Sequence, residues 1–182
     1  MSKMNKLNKS DILTSVIVLN YNAGGLLIDC IQSLVNTNNY KLEIIVVDNI
    51  SADNSHKICK EKFPEIKLIE NKENLGYCEG NNVGIRNASG EFIVILNPDT
   101  KVEPNWLEEL FNTYEKFGDG LYQPKIMAFE DNLFESGGNM LQMFGFGYSK
   151  GRGIQDKGQF DEPCEIGYAS GACLFTKTNI LK

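Results

Sequence analysis

Asp99 is the residue best placed to do chemistry. It closes an Asn97-Pro98-Asp99 turn directly after the run Glu91-Phe92-Ile93-Val94-Ile95-Leu96. That run is apolar past its first residue and predicts a strand buried on both faces. Open α/β sheets bind ligands in the crevice outside the carboxyl ends of their strands, and the carboxylate is delivered there. A hard oxygen ligand in that place suits Mg²⁺ or Mn²⁺, and such an ion would bridge to a diphosphate. The tripeptide also fits a plain turn that binds nothing.

Two other apolar runs end the same way. Ser15-Val16-Ile17-Val18-Leu19 closes on Asn20-Tyr21-Asn22, and Leu42–Val47 closes on Asp48-Asn49. Between them, Leu27, Cys30, Ile31, Leu34 and Val35 have the spacing of one apolar helix face, which ends in the Asn36–Tyr40 segment. Ser51 and Asp53 are candidate N-caps for a short helix to Lys62. Pro64 stops that helix, and Ile66–Ile69 reads as a third strand. This alternation predicts an α/β fold: a mostly parallel central sheet with right-handed crossovers and helices on its faces. Asn20, Asp48 and Asp99 would then line one crevice, which favours a site over a plain turn.

Composition narrows the classes. A chain of 182 residues with 42% hydrophobic and 23% charged residues has the makings of one globular domain. A net charge of −6 argues against a nucleic-acid binder, and it makes a bound cation useful if the ligand carries phosphate. No apolar run has the length of a membrane span, and no signal-peptide pattern opens the chain. Residues 1–13 read as a flexible tail, and 14–182 as the domain. The five cysteines form no CxxC pair and read as reduced, which suggests the cytoplasm. His56, the single histidine, is expected at the surface, and a zinc site is not expected.

Later segments are less regular. Gly76, Gly80 and Gly84 recur every four residues, so a helix would present a bare face to a ligand or to a strand. Neither a G-x-G-x-x-G fingerprint nor a Walker phosphate loop occurs, which disfavours an NAD-linked oxidoreductase. Pro104 precedes a helix with Trp106, Leu107, Leu110, Phe111 and Tyr114 on its buried face. Leu121–Phe129 reads as a strand kinked at Pro124, and Ser149–Pro163 as a mobile lid or a poorly ordered loop. The aromatic run Phe144–Tyr148 fits stacking on an acceptor sugar or lipid carrier, a core edge, or a bare surface. Ile166–Phe175 regains strand character.

These blocks, in this order, resemble the family-2 glycosyltransferases of the GT-A fold, a three-layer α/β/α arrangement. The blocks are Ser15–Asn22, Ile45–Asn49 with Ser51 and Asp53, Asn74–Tyr77 through Asn81–Ile85, Asn97–Thr100, and Ser170–Leu174. Asn-Pro-Asp in place of Asp-x-Asp is similar to the rhamnosyltransferase-like branch. The resemblance implies transfer of a sugar from a UDP- or dTDP-linked donor to a saccharide or lipid-linked acceptor. Transfer would be inverting and assisted by Mg²⁺ or Mn²⁺, and the resemblance extends to peripheral membrane association of the full-length protein, at the inner face of the membrane. The alternative is a nucleotide-binding module without catalysis.

Under the resemblance, Asp48 would accept a hydrogen bond from the nucleobase, Asn20 and Tyr21 would border base and ribose, and Asn97 would contact ribose. Asp99 would ligate the metal. Asn49, Ser51, Asn74, Gly76 and Asn82 complete the implied nucleotide site. Ser170, Gly171 and Ala172 would lie near sugar and acceptor. The general base, a Glu or Asp after the Ser-Gly-Ala block, is expected beyond Lys182, so the chain reads as the N-terminal portion of a longer enzyme. Asp156, Asp161 and Glu162 are the carboxylates nearest to that role within the chain.

Overall fold

A computed structural model describes residues 9–37, 39–129 and 131–182. Its centre is a five-stranded sheet of β1 (Leu13–Asn20), β2 (Lys41–Asp48), β3 (Lys67–Glu70), β4 (Phe92–Leu96) and β9 (Cys173–Lys177), in the order β3-β2-β1-β4-β9. The first four strands run parallel, and β9 closes the edge antiparallel to β4. The connections explain the parallel part. Helices α1 (Gly25–Val35), α2 (Ser55–Lys62) and α3 (Gly76–Asn87) follow β1, β2 and β3 in turn.

Alternation along each strand feeds two cores. Val16, Val18, Val46, Phe92 and Val94 face a layer of α1, α2 and α4 (Trp106–Phe117). Ile17, Ile45, Val47 and Ile93 face α3. Strands buried on both faces need no polar side, so their sequence is apolar without a break. Phe92 anchors the larger layer, with ring centroids 5.1 Å from Phe111, 4.8 Å from Tyr114 and 5.1 Å from Phe175. On the other face, a Cβ on Gly80 would stand 2.5 Å from Leu19 Cδ1, and one on Gly84 would overlap Ile17 Cγ2. Those two glycines therefore bring helix and sheet together. Gly76 does something else: it has φ +70° at the helix start, with open space around it.

Several expectations need correction. Order begins before residue 14: a 3-10 turn spans Lys9–Asp11, Ile12 is buried, β1 starts at Leu13, and Lys9 pairs with Glu115 at 3.1 Å. The remainder of the expected tail, residues 1–8, lies outside the described residues, as does Asn38 in the segment after α1. Neither Ser51 nor Asp53 is the N-cap of α2; Asn54 is, with φ 57°. The kinked strand over Leu121–Phe129 reduces to a bridge from Tyr122 to Phe175 and the two-residue β5 (Ile126–Met127). Pro124, which lacks an N–H, sits between them. Ser149–Pro163 is folded against the molecule, with Phe160 edge-on to Phe134 at 5.1 Å and Lys125 held by Asp156 and Asp161. Short hairpins precede it: β6 (Phe134–Ser136) pairs with β5, and β7 (Asn139–Leu141) with β8 (Gly147–Ser149). Four residues of α5 (Thr178–Leu181) follow β9. Among the described residues, no helix is long and apolar enough to cross a membrane.

Candidate functional site

The carboxyl ends of β1, β2 and β4 open into a groove of about 460 Å³. Tyr21, Asn49, Asn74, Gly76, Tyr77 and the Asn97-Pro98-Asp99 turn are among the residues that line it. Register explains why residues so far apart in sequence meet. Asn20 is level with Asp48, and Val18 with Leu96, so the three strands end on one edge.

Asp48 is not in the groove wall. It is 2% exposed, and both its carboxylate oxygens are engaged: Oδ1 accepts from Asn20 Nδ2 at 2.7 Å, and Oδ2 from the Ser51 N–H at 2.9 Å. A buried carboxylate engaged at both oxygens works as a latch between the two strand ends, and each oxygen keeps a second lone pair with which it could accept a further donor. Asn20, fully buried, belongs to the same latch, and its amide also donates to Ser51 and Ser55. Ser51 Oγ in turn accepts from the Asn22 N–H at 2.9 Å, and Asp53 Oδ2 from the Gly24 N–H at 2.8 Å. The loop after β1 is thus laced to the loop after β2. The hydrogen bonds from Ser55 and Gly24 hold the Asp53 carboxyl below the usual carboxylate range.

His56 reverses its expectation. It is 4% exposed, lying between the last residues of two strands, with Nδ1 3.3 Å from Asp48 Oδ1 and Nε2 3.3 Å from Glu70 Oε1. Nδ1 makes no hydrogen bond, so its approach to Asp48 is a close contact without a directed bond. A lone polar residue on a short helix carries no periodic signal, so only the packing of α2 on the sheet reveals it.

Of the remaining expected residues, Tyr21, Asn49, Asn74, Gly76, Asn97 and Asp99 come together. Asn49 is buried at the groove, donating to Asn74 Oδ1 at 3.2 Å and the Gly76 carbonyl at 3.0 Å, and accepting from Asn71 at 2.8 Å. Asn82 does not join them. It is exposed on the outer side of α3, where it bonds Glu79. Ser170, Gly171 and Ala172 border the site: the Asn97 N–H donates to the Ala172 carbonyl at 3.0 Å, and Tyr77 Oη to the Gly171 carbonyl at 2.8 Å. Tyr77, which belongs to the Asn74–Tyr77 block but was given no role there, lines the groove and reaches the 170–172 turn. Asp156 and Asp161 lie with Lys125 at 3.0 and 2.5 Å, an ion pair outside the groove wall.

Asp99 is exposed at the groove, and Cys30 lies beneath the turn, its thiol 3.7 Å from the Asn97 carbonyl. Burial, with the charge of Asp99 adding to it, pushes that thiol up to about 12, which rules out a thiolate nucleophile. Among the described residues, no three His, Cys, Asp or Glu side chains gather as a metal cluster. The donor set fits a cation shared with a ligand's phosphates, since Mg²⁺ is usually bound through one or two carboxylates plus phosphate and water.

Comparison with known proteins settles the family. The profile of Glycosyl transferase family 2 matches residues 15–182. The chain belongs to this family. It is 32% identical over 107 residues to the glycosyltransferase GlyG of Streptococcus pneumoniae, covering 57% of this chain and 36% of that protein. The chain spans about a third of the length of the curated relatives it matches. Its fold is shared with the mannosyltransferase PcManGT of Pyrobaculum calidifontis in complex with GDP-Man and Mn²⁺ (TM-score 0.56, 24% identity, 63% of this chain and 35% of that one). S. aureus TarS 1-349 in complex with UDP-GlcNAc has the same fold (TM-score 0.58, 20% identity, 69% and 39%).

Proposed function

We propose that this chain is the donor-binding domain of a glycosyltransferase that takes a sugar from a nucleoside-diphosphate sugar, UDP- or dTDP-linked, with Mg²⁺ or Mn²⁺. One observation carries the proposal: a single exposed carboxylate, Asp99, stands at the end of a groove whose other polar lining is uncharged. Such a groove accepts a neutral base and ribose along Tyr21, Asn49, Asn74 and Gly76, and it reserves its one charge for the place where a diphosphate would bring a cation. Asn97, an amide, adds a hydrogen-bonding group there without a second negative charge.

Asp99 would hold the ion together with phosphate oxygens. When bound, the ion supplies Lewis-acid stabilisation of the departing diphosphate. The chain's own residues orient the donor. The Asn20–Asp48–Ser51 latch keeps the floor from shifting, and the 170–172 turn borders the sugar end. The acceptor, a saccharide or lipid-linked saccharide, would approach from that side, its hydroxyl deprotonated by a base outside the groove wall. The identity and fold of the family support this reading, as do the nucleotide-sugar complexes of the structural neighbours.

The test is titration calorimetry of UDP with and without Mn²⁺, on the parent and on Asp99→Ala. The parent should bind UDP only with the metal. The variant should lose at least about tenfold in affinity, as expected for a charge-assisted contact, with its melting temperature unchanged because Asp99 is exposed. Equal affinities would overturn the assignment of Asp99.

A further inference from the structure

We propose that Tyr77 is a positioning residue that couples the occupied groove to the Ser170-Gly171-Ala172 turn, so that donor binding sets the sugar and acceptor side in place. The inference rests on the donor-binding reading above and goes beyond it by naming the device.

Tyr77 belongs to both regions. Its ring is part of the groove lining, and it sits in the first turn of α3, just after Gly76 with its positive φ. Its hydroxyl leaves the groove and donates to the Gly171 carbonyl at 2.8 Å, across 94 residues of sequence. The first turn is braced from below: Asn81, 4% exposed, donates Nδ2 to the Tyr77 carbonyl at 2.9 Å. A Cβ on Gly171 would overlap Tyr77 Oη, so the phenol docks closely only because residue 171 has no side chain. Burial raises the Tyr77 hydroxyl above its ordinary value, consistent with its remaining a donor at neutral pH.

The turn itself has few other holds. The Ser170 N–H donates to Gln123 Oε1 at 2.7 Å, and the Ala172 carbonyl accepts from the Asn97 N–H at 3.0 Å. Just before it, residues 165, 167 and 168 are exposed, and the chain is pinned there by the Gly167 N–H donating to the Asn139 carbonyl at 2.6 Å and by a bridge between Asn139 and Tyr168. Between the holds at Ser170 and Ala172, the Gly171 carbonyl is tied to the groove wall through Tyr77. A ligand that packs on the Tyr77 ring restricts its χ angles, and the hydroxyl transmits that restriction to residue 171.

Amide hydrogen exchange of the full chain tests the coupling, with peptides covering residues 166–173 read without ligand and at saturating UDP and Mn²⁺, on the parent, Tyr77→Phe and Gly171→Ala. In the parent, UDP should slow exchange over 168–172 several-fold. Without ligand, Tyr77→Phe should exchange about fivefold faster there, the effect of losing one hydrogen bond of ordinary net strength, and UDP should no longer slow it. Gly171→Ala, which displaces the phenol from the other side, should behave alike.

Parent-like exchange of both variants without ligand would overturn the tether. Equal slowing by UDP in parent and variants would overturn the coupling. Should UDP fail to bind the parent at all, the donor reading fails and the coupling with it, while the ligand-free comparison still decides the tether.

Discussion

Residues 13–120 and residues 121–172 are held together by different materials. In the first region, β1, β2 and β4 lie between layers of aliphatic and aromatic side chains, and buried polar pairs such as Asn20–Asp48 stand at the strand ends rather than at the centre. In the second, the centre is polar. Asn139 is 2% exposed; its Nδ2 donates to Gln123 Oε1 at 2.6 Å, and its Oδ1 accepts from Ser136 and Ser149 at 2.9 and 2.8 Å. Gln123 also receives the Ser170 N–H and donates to Ser136. Around this hub, large apolar groups are left outside, Met143 at 91% and Phe144 at 79% exposed. Apolar burial is additive and non-directional, so the sheet region loses stability in proportion to the side-chain area removed. A polar hub needs every partner in place, because a half-satisfied network leaves desolvated groups unpaired.

The contrast can be broken at its strongest point first. Phe92→Ala removes the ring at the middle of the aromatic cluster and should reduce the unfolding free energy by about 3–5 kcal/mol, read as a lower urea midpoint for the whole molecule. A loss confined to residues 121–172 would show that the sheet does not govern global stability. Asn139→Ala comes next. It should cost about 1–3 kcal/mol through orphaned partners, seen as faster proteolysis between residues 142 and 163 with the sheet still protected. Equal opening of both regions would erase the distinction.

The smallest effect concerns Glu43, a carboxylate held by hydrogen bonds near the amino-terminal edge of the sheet. Burial would raise the Glu43 carboxyl, but hydrogen bonds from Ser15 and from the Ser89 N–H and hydroxyl outweigh it, and the folded value lies below the ordinary 4.5. Its contribution is therefore full above pH 4.5 and is lost as pH falls through the lowered folded value. Glu43→Gln should be less stable than the parent at pH 7, with the gap closing in acid. A gap independent of pH would assign the effect to packing.

Much of the site was legible because it sits at the ends of periodic elements. The apolar runs closing on Asn20, Asp48 and Asp99 forecast both the sheet and the edge where they meet. What each polar residue does at that edge was less legible. Asp48 and Asp99 look alike in sequence, yet one is sealed behind the floor by Asn20, Ser51 and His56, and the other stands open to the groove. Asn82 sits one residue from the buried Asn81, yet that step of about 100° around the helix turns it out to solvent.

By itself, the order of residues determined the α/β layering and the strand ends, since period and apolar content act over a few neighbours and need no distant partner; the family was legible only through the resemblance of its motif blocks. Tertiary structure decided the burial of His56, the latch made by Asp48, the docking of Tyr77 on Gly171 and the hub at Asn139. Each of those depends on contacts between residues apart along the chain, and such contacts, with the hydrogen-bond directions some of them need, exist only once the backbone has brought the partners together.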